Sequence, residues 1–316
     1  KANLKDSPFL FSIFVVLKKI LTYLFCLNVF LSNSQHDSIN FKSRKIILST
    51  SSALVTTGSL FYLNKAWYQN YNTGKFHFFN DNKAWLQMDK VGHVYTNYQL
   101  SKYMMQSFEW AGFNKKQSLL IGGNIGLAYM TCIEIMDGYS DGWGFSWGDM
   151  ISNTAGTYLC IGQQHFFNEQ KIWFKFSFSQ SGLAQYNPNL LGNSLPLEIL
   201  KDYNGQTYWL SFNPLSFKTN KPKNQILNML NLSLGYSAYG MIGGNYNQFL
   251  IQNNNGNVLK LNRERRFYLS LDIDLTKIKT KHKVLKTLFS AFNCVKIPFP
   301  TLQFAKSGIR FYPLYF

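Results

Sequence analysis

The spacing of apolar residues changes period near residue 170, and this limits the fold more than any other feature of the chain. From about 42 to 168, apolar residues recur at helical intervals among many Gly, Ser and Thr. From about 171 to 316 they alternate two by two. Lys171-Ile-Trp-Phe-Lys-Phe-Ser-Phe-Ser, Asn231-Leu-Ser-Leu-Gly-Tyr-Ser-Ala-Tyr and Phe267-Tyr-Leu-Ser-Leu-Asp-Ile-Asp-Leu all read as half-buried strands. Helices that precede strands, instead of alternating with them, give an α+β fold. The expectation is an N-terminal bundle of about four apolar helices packed with a C-terminal antiparallel β-sheet. The helical domain is placed at 35–168 and the β domain, with one short helix, at 169–316.

The predicted helices cover Ile46–Asn64, 84–112, Lys115–Met136 and Ser146–Phe167. Ile46–Asn64 holds no charge over 19 residues, enough to span a bilayer, but its many Ser and Thr fit a buried helix at least as well. Gly122 and Gly126 form GxxxG, which lets a neighbouring helix approach closely. In the second half, Asn253-Asn-Asn-Gly-Asn is a turn and Val284–Cys294 a short amphipathic helix, stopped by Pro298 and Pro300. The aromatic ending, Gly308 to Phe316, suits an outer-membrane barrel. Only four or five strands are convincing, however, where a barrel needs at least eight. Pro313 demotes the last strand to an edge, so a small sheet packed on the helices is preferred.

Residues 1–34 read as a signal peptide. Lys18 and Lys19 precede the apolar stretch Ile20–Leu31, and Ser32-Asn33-Ser34 offers a cleavage site. Leu24-Phe25-Cys26 lacks the small residue of a lipobox. The rest of the chain is therefore expected in the cell envelope, in the periplasm or at the periplasmic face of the outer membrane. The net charge of +17 suits an anionic membrane surface or an outer-membrane partner protein. The basic residues are scattered and no nucleic-acid motif accompanies them, so nucleic acid is not the expected partner. Cys132, Cys160 and Cys294 lie in apolar runs without metal-site spacing and read as buried thiols.

The informative residues are polar ones set in the apolar helices. Asp89 and His93 are four apart and share a helix face, as do Glu134 and Asp137, three apart. Asp149, Asn153 and Gly156 follow at i, i+4 and i+7. Converging helices would gather His93, Asp89, Glu134, Asp137 and Asp149 as candidate acid–base groups, with Lys90, Ser146 and Asn153 as candidate binding residues. The same set offers ligands for a divalent metal, but contains no H-E-x-x-H. The loop 137–149 fails as an EF-hand at Tyr139 and Gly148. In structural terms, Ser146-x-x-Asp149 is a capping box, and Glu134 would pair with Lys90. His77, His165 and His282 stand alone. No G-x-S-x-G nucleophile elbow and no dinucleotide fingerprint occurs.

Asp89-Lys-x-x-His93, Glu134-x-x-Asp137-Gly138 and Gly144-Phe-Ser146-x-Gly-Asp149-x-x-x-Asn153-x-x-Gly156 resemble the YfiM-like family, predicted periplasmic lipoproteins of unknown function. Arg266-Phe-Tyr-Leu-Ser-Leu-Asp-Ile-Asp-Leu and Phe311-Tyr-Pro-Leu-Tyr-Phe resemble its longer envelope members. The polar order is also similar, over a short stretch, to the VanZ-like membrane family, which would imply a polar site near lipid-linked cell-wall chemistry. The functional expectation is a membrane-associated structural or assembly component of the envelope. The alternative is a hydrolase or transferase acting on lipid or glycan through the His/carboxylate site.

Overall fold

The computed structural model describes residues 40–63, 74–218, 224–247, 251–252, 258–259 and 261–316. The signal segment and the Asn253 turn lie outside the described residues. The architecture is α+β. Four long helices come first: α1 (Phe41–Leu63), α2 (Met88–Trp110), α3 (Lys115–Gly138) and α4 (Trp147–Phe167). Eight strands follow: β1 (Ile172–Phe178), β2 (Gln206–Phe212), β3 (Leu230–Tyr239), β4 (Ile251–Gln252), β5 (Val258–Leu259), β6 (Glu264–Ile273), β7 (Phe299–Ala305) and β8 (Gly308–Tyr315). Short helical turns and a fifth helix, α5 (Lys283–Phe292), lie between them.

Small residues bring the helices together. A Cβ on Gly126 of α3 would stand 2.6 Å from Leu100 Cβ, and one on Gly156 of α4 would stand 2.1 Å from the Val94 carbonyl oxygen. Both glycines therefore let α3 and α4 lie against the backbone of α2. The GxxxG segment begins in a π turn, Ser118–Gly122, inside α3. Ser146 caps α4, its Oγ accepting from the Asp149 N–H. The helix predicted to begin near 84 starts at Met88. Trp85, Leu86 and Gln87 hold positive φ before it, at 50°, 50° and 66°, a backbone cost of order 1–3 kcal/mol each.

The predicted uncharged helix is not buried. One side of α1 packs Leu48 near Phe108 and Ala111, while Leu54 and Phe61 stay more than 70% exposed. The described helix that meets the length and apolarity of a bilayer span is instead α3, with mean hydropathy 1.5. Of the three cysteines, Cys160 is buried but Cys132 is exposed.

The sheet has six strands, more than the pattern suggested, in the order β1-β2-β3-β6-β7-β8, all antiparallel. A two-stranded ribbon, β4-β5, lies between β3 and β6 in the chain. α5 ends at Phe292, before Pro298 and Pro300 are reached, so the prolines are not what stops it. β7 starts between them, and its register with β8 shifts between Phe299 and Thr301. The Pro313 strand is an edge, as expected. The other edge is sealed: the Phe176 N–H donates to Cys294 O and the Lys296 N–H to Phe176 O, each at 2.9 Å. The sheet curls until the Tyr315 hydroxyl of β8 meets Thr207 of β2 at 3.1 Å.

Alternation along these strands sorts polarity in reverse. The inner face buries Lys175, Ser211, Ser233, Ser270, Asp272 and Gln303. The outer face carries cross-strand apolar rows. One runs Phe174, Leu210, Leu234, Leu269, Leu302, Phe311, each opposite the next. A second runs Phe176, Tyr208, Tyr236, Phe267, Phe304, Ile309. Among the described residues these rows are covered at the β1–β2 end, where Tyr95 and Tyr98 of α2 stack on Phe174, Phe176 and Tyr208, and at Tyr236 of β3, which packs under the turn before α2.

Candidate functional site

The helical spacing that aligned Asp89 with His93 and Asp149 with Asn153 directs all four toward the α2–α4 contact that Gly156 makes possible. His93 stands at the centre. Its Nδ1 lies 3.0 Å from Asn153 Oδ1 and 3.7 Å from Glu134 Oε1. Its Nε2 lies 3.5 Å from Asp149 and 3.8 Å from Asp89. Asn97 Nδ2 donates to the same Asn153 oxygen. Lys90 projects beside the ring and contacts three carboxylates: Asp81 at 2.6 Å, Asp149 at 2.7 Å and Asp89 at 3.1 Å. Ser146 Oγ donates to Asp81 at 2.6 Å.

Six of the eight residues expected at the site meet directly around Lys90 and His93: Asp89, Lys90, His93, Glu134, Asp149 and Asn153. Ser146 joins through Asp81. Asp137, one helical turn from Glu134, acts on it through its charge. The expected Lys90–Glu134 pair does not form. Asp81, Asp89 and Asp149 take the ammonium instead, and Glu134 faces the ring.

Three residues outside the expected set complete the cluster: Asn97, one helical turn beyond His93 and so within reach of the same spacing argument, and two others. Asp81 lies in the segment before α2. Tyr203 comes from the loop before β2, and its hydroxyl donates to Asp89 Oδ1 at 2.7 Å. Neither belongs to a periodic pattern, so the sequence carried no signal for them beyond polarity. The β domain also clamps the strained turn ahead of Asp89. The Trp85 N–H donates to Gly244 O at 2.7 Å, and the Tyr236 hydroxyl donates to Leu86 O.

Burial and mutual charge set the electrostatics. Burial pushes Glu134 up to about 8 despite the nearby imidazole and the Ser146 N–H. Burial likewise raises Asp149 to about 6, against the pull of His93 and Lys90. For His93, burial opposes the charged form, but Asp89, Asp149 and Glu134 outweigh it and hold the imidazolium above its ordinary value. Burial also opposes ionisation of Asp89, which His93, Lys90 and Tyr203 nevertheless hold below its usual range. Lys90 is raised: its desolvation is exceeded by Asp89 and Asp149. Three buried atoms of the cluster make no hydrogen bond, Glu134 Oε1, Asp149 Oδ1 and Asn153 Nδ2, although Asp149 Oδ1 faces the Lys90 ammonium as an ion pair.

Asp89, His93 and Asp149 each offer a ligand atom within 4.8 Å of the others. Lys90 already sets a positive charge against both of those carboxylates. Neutralisation by a divalent ion would have to displace it, and the set fits an ammonium better than a metal.

Residues 77–163 match the sequence model of a family described as predicted periplasmic lipoprotein (DUF2279). No curated protein and no solved structure matches the chain. The matched span holds Asp81 and every helical residue of the cluster, and leaves out Tyr203 and the sheet. The description agrees with the expected envelope location and with the YfiM-like resemblance, and lends nothing to the VanZ-like one. Over α2, α3 and most of α4, this chain is similar to a family of predicted periplasmic lipoproteins.

Proposed function

We propose that the chain is an exported cell-envelope protein, a membrane-associated structural or assembly component, whose polar cluster locks the helical bundle to the sheet. The observation that carries this reading is the Tyr203 hydroxyl on Asp89. Through it, a loop of the β domain joins a network in which Lys90 balances carboxylates from three separate segments. The clamped turn at Trp85–Gln87 adds a second tie between the same two halves. Removing one partner of a buried pair costs about 3–5 kcal/mol, and ~1 kcal/mol moves the melting temperature by roughly 2–4 °C in large domains. Asp149→Asn should therefore lower the melting temperature by ~6 °C or more, and His93→Ala should lower it too. Fractionation should find the chain with envelope membranes after a high-salt wash.

One observation favours a second reading, acid–base chemistry on lipid or glycan. Glu134 is a buried carboxyl that makes no hydrogen bond through Oε1, sits beside an imidazole and holds its proton near neutral pH. Such a group destabilises a fold at neutral pH and suits proton transfer. Under that reading, both substitutions would leave the melting temperature unchanged or raise it.

A further inference from the structure

The sheet is inside out for a protein in water. Its buried face holds charge, including Lys175 and Asp272, both at 0% side-chain exposure. The opposite face exposes Leu234, Phe267, Leu269, Leu302, Phe304 and Phe311 by 37–62%. An antiparallel sheet with one wet face shows the reverse alternation, and soluble monomers rarely expose apolar patches beyond a few hundred Å². Where the described residues cover this face, they do so with the tyrosines of α2 at Phe174, Phe176 and Tyr208 and with the turn at Leu86 over Tyr236. From Leu234 and Phe267 outward the rows stay exposed.

We propose that the bare outer face of the sheet, from Leu210 of β2 to Phe311 of β8, lies in the hydrocarbon of an anionic phospholipid bilayer. This rests on the membrane-associated reading and says which surface makes the association. Three observations select lipid as the occupant. First, outside the α2 contact the outward positions of the rows are apolar, while the inward ones hold the charged and hydroxyl groups together with Trp209 and Tyr268, as lipid-facing and interior-facing positions do. Second, β3 and β6 have ten residues each. At ~3.4 Å per residue this spans about 34 Å, close to a hydrocarbon core of ~30 Å. Third, cations bracket the apolar rows, which contain none themselves. Arg265 and Lys306 are exposed at one end of the strands, and Lys279, Lys281, Lys283 and Lys286 at the other. Basic side chains at that depth meet anionic headgroups.

The test is spin-label accessibility on the whole exported chain in a Cys132→Ser background, reconstituted with phosphatidylglycerol-containing vesicles. Labels go on Leu269→Cys in the rows and on Lys306→Cys at the rim. The expected result is an oxygen-to-nickel-chelate accessibility ratio several-fold higher at 269 than at 306. Equal ratios at both sites on chains that float with the vesicles would overturn the insertion and leave membrane association standing. Exclusion of both probes at 269, with a dimer in detergent, would give the face to a second copy of the chain and overturn the proposal. A chain that does not float at all would remove the membrane reading together with it.

Discussion

The sheet interior and the helical bundle both bury ion pairs, but their surroundings differ. Lys175 and Asp272 are 2.6 Å apart with no exposure. Lys175 also donates to Ile273 O and Asn293 Oδ1, at 2.9 and 3.1 Å. Asp272 accepts from Ser211 Oγ at 2.6 Å and from the Ile297 N–H at 3.1 Å. Both partners of that pair are bonded, and the buried Lys296 beside them, held down to about 8 by burial, donates to Ile297 O at 2.8 Å. In the bundle, Lys90 and His93 face Asp81, Asp89, Asp149 and Glu134, and the cluster keeps 7–23% exposure at Asp89, Lys90, His93 and Asp149. There Glu134 Oε1, Asp149 Oδ1 and Asn153 Nδ2 lack hydrogen bonds, so that two carboxylates are involved, whereas the orphaned atoms in and around the sheet interior, Asn231 Nδ2, Asn293 Nδ2 and Gln303 Nε2, are all neutral amide nitrogens. A closed pair fixes geometry and exchanges nothing with its surroundings. An open one fixes geometry and also responds to protons, because its charges are not evenly matched.

The largest expected effect breaks the closed pair. Lys175→Met leaves Asp272 buried without its ion-pair partner, with Lys296 as the remaining nearby cation, and should cost about 3–5 kcal/mol. Lys175→Met with Asp272→Leu should recover most of that loss. Equal loss in the single and double variants would mean that the pair's other hydrogen bonds matter more than its charge.

A smaller effect loosens the open cluster. Gly156→Ala sets a Cβ against the Val94 carbonyl, so α4 must move away from α2 and carry Asn153 from His93. Overpacking of this kind costs roughly 1–3 kcal/mol. A variant as stable as the parent would show that the helix contact is not tight.

The smallest effect is a slope. Glu134, Asp149 and His93 all bind protons more tightly in the folded chain than in the unfolded one. From the ordinary carboxylate range up to about 8, the folded state therefore holds more protons, and stability falls as pH rises. Asp89 acts in the other direction, only below its ordinary value of 3.8. The melting temperature should thus drop between pH 5 and pH 8, and Glu134→Gln should flatten the drop. Identical slopes in the two proteins would take Glu134 out of the account.

The helices, the Ser146 cap and the convergence of Asp89, His93, Asp149 and Asn153 were legible because spacing of three or four on a helix fixes a shared face. The strands were legible as alternation, but which face is inside was not. Period two defines two faces and does not say which one meets water. A polar interior therefore reads the same as a polar exterior, and nothing in the alternation marks Lys175 and Asp272 as buried. Tyr203 and Asp81 were hidden for a different reason: each sits outside any repeat and reaches the cluster only through tertiary packing.

The most direct test of the joint between bundle and sheet is a double-mutant cycle on Asp89→Asn and Tyr203→Phe, read as unfolding free energy. Independent sites add within ~0.3–0.5 kcal/mol. The account predicts a coupling of about 1 kcal/mol or more, since the bond is to a charged carboxylate. Additive losses would contradict it: Tyr203 and Asp89 would then be neighbours that do not hold the two halves together.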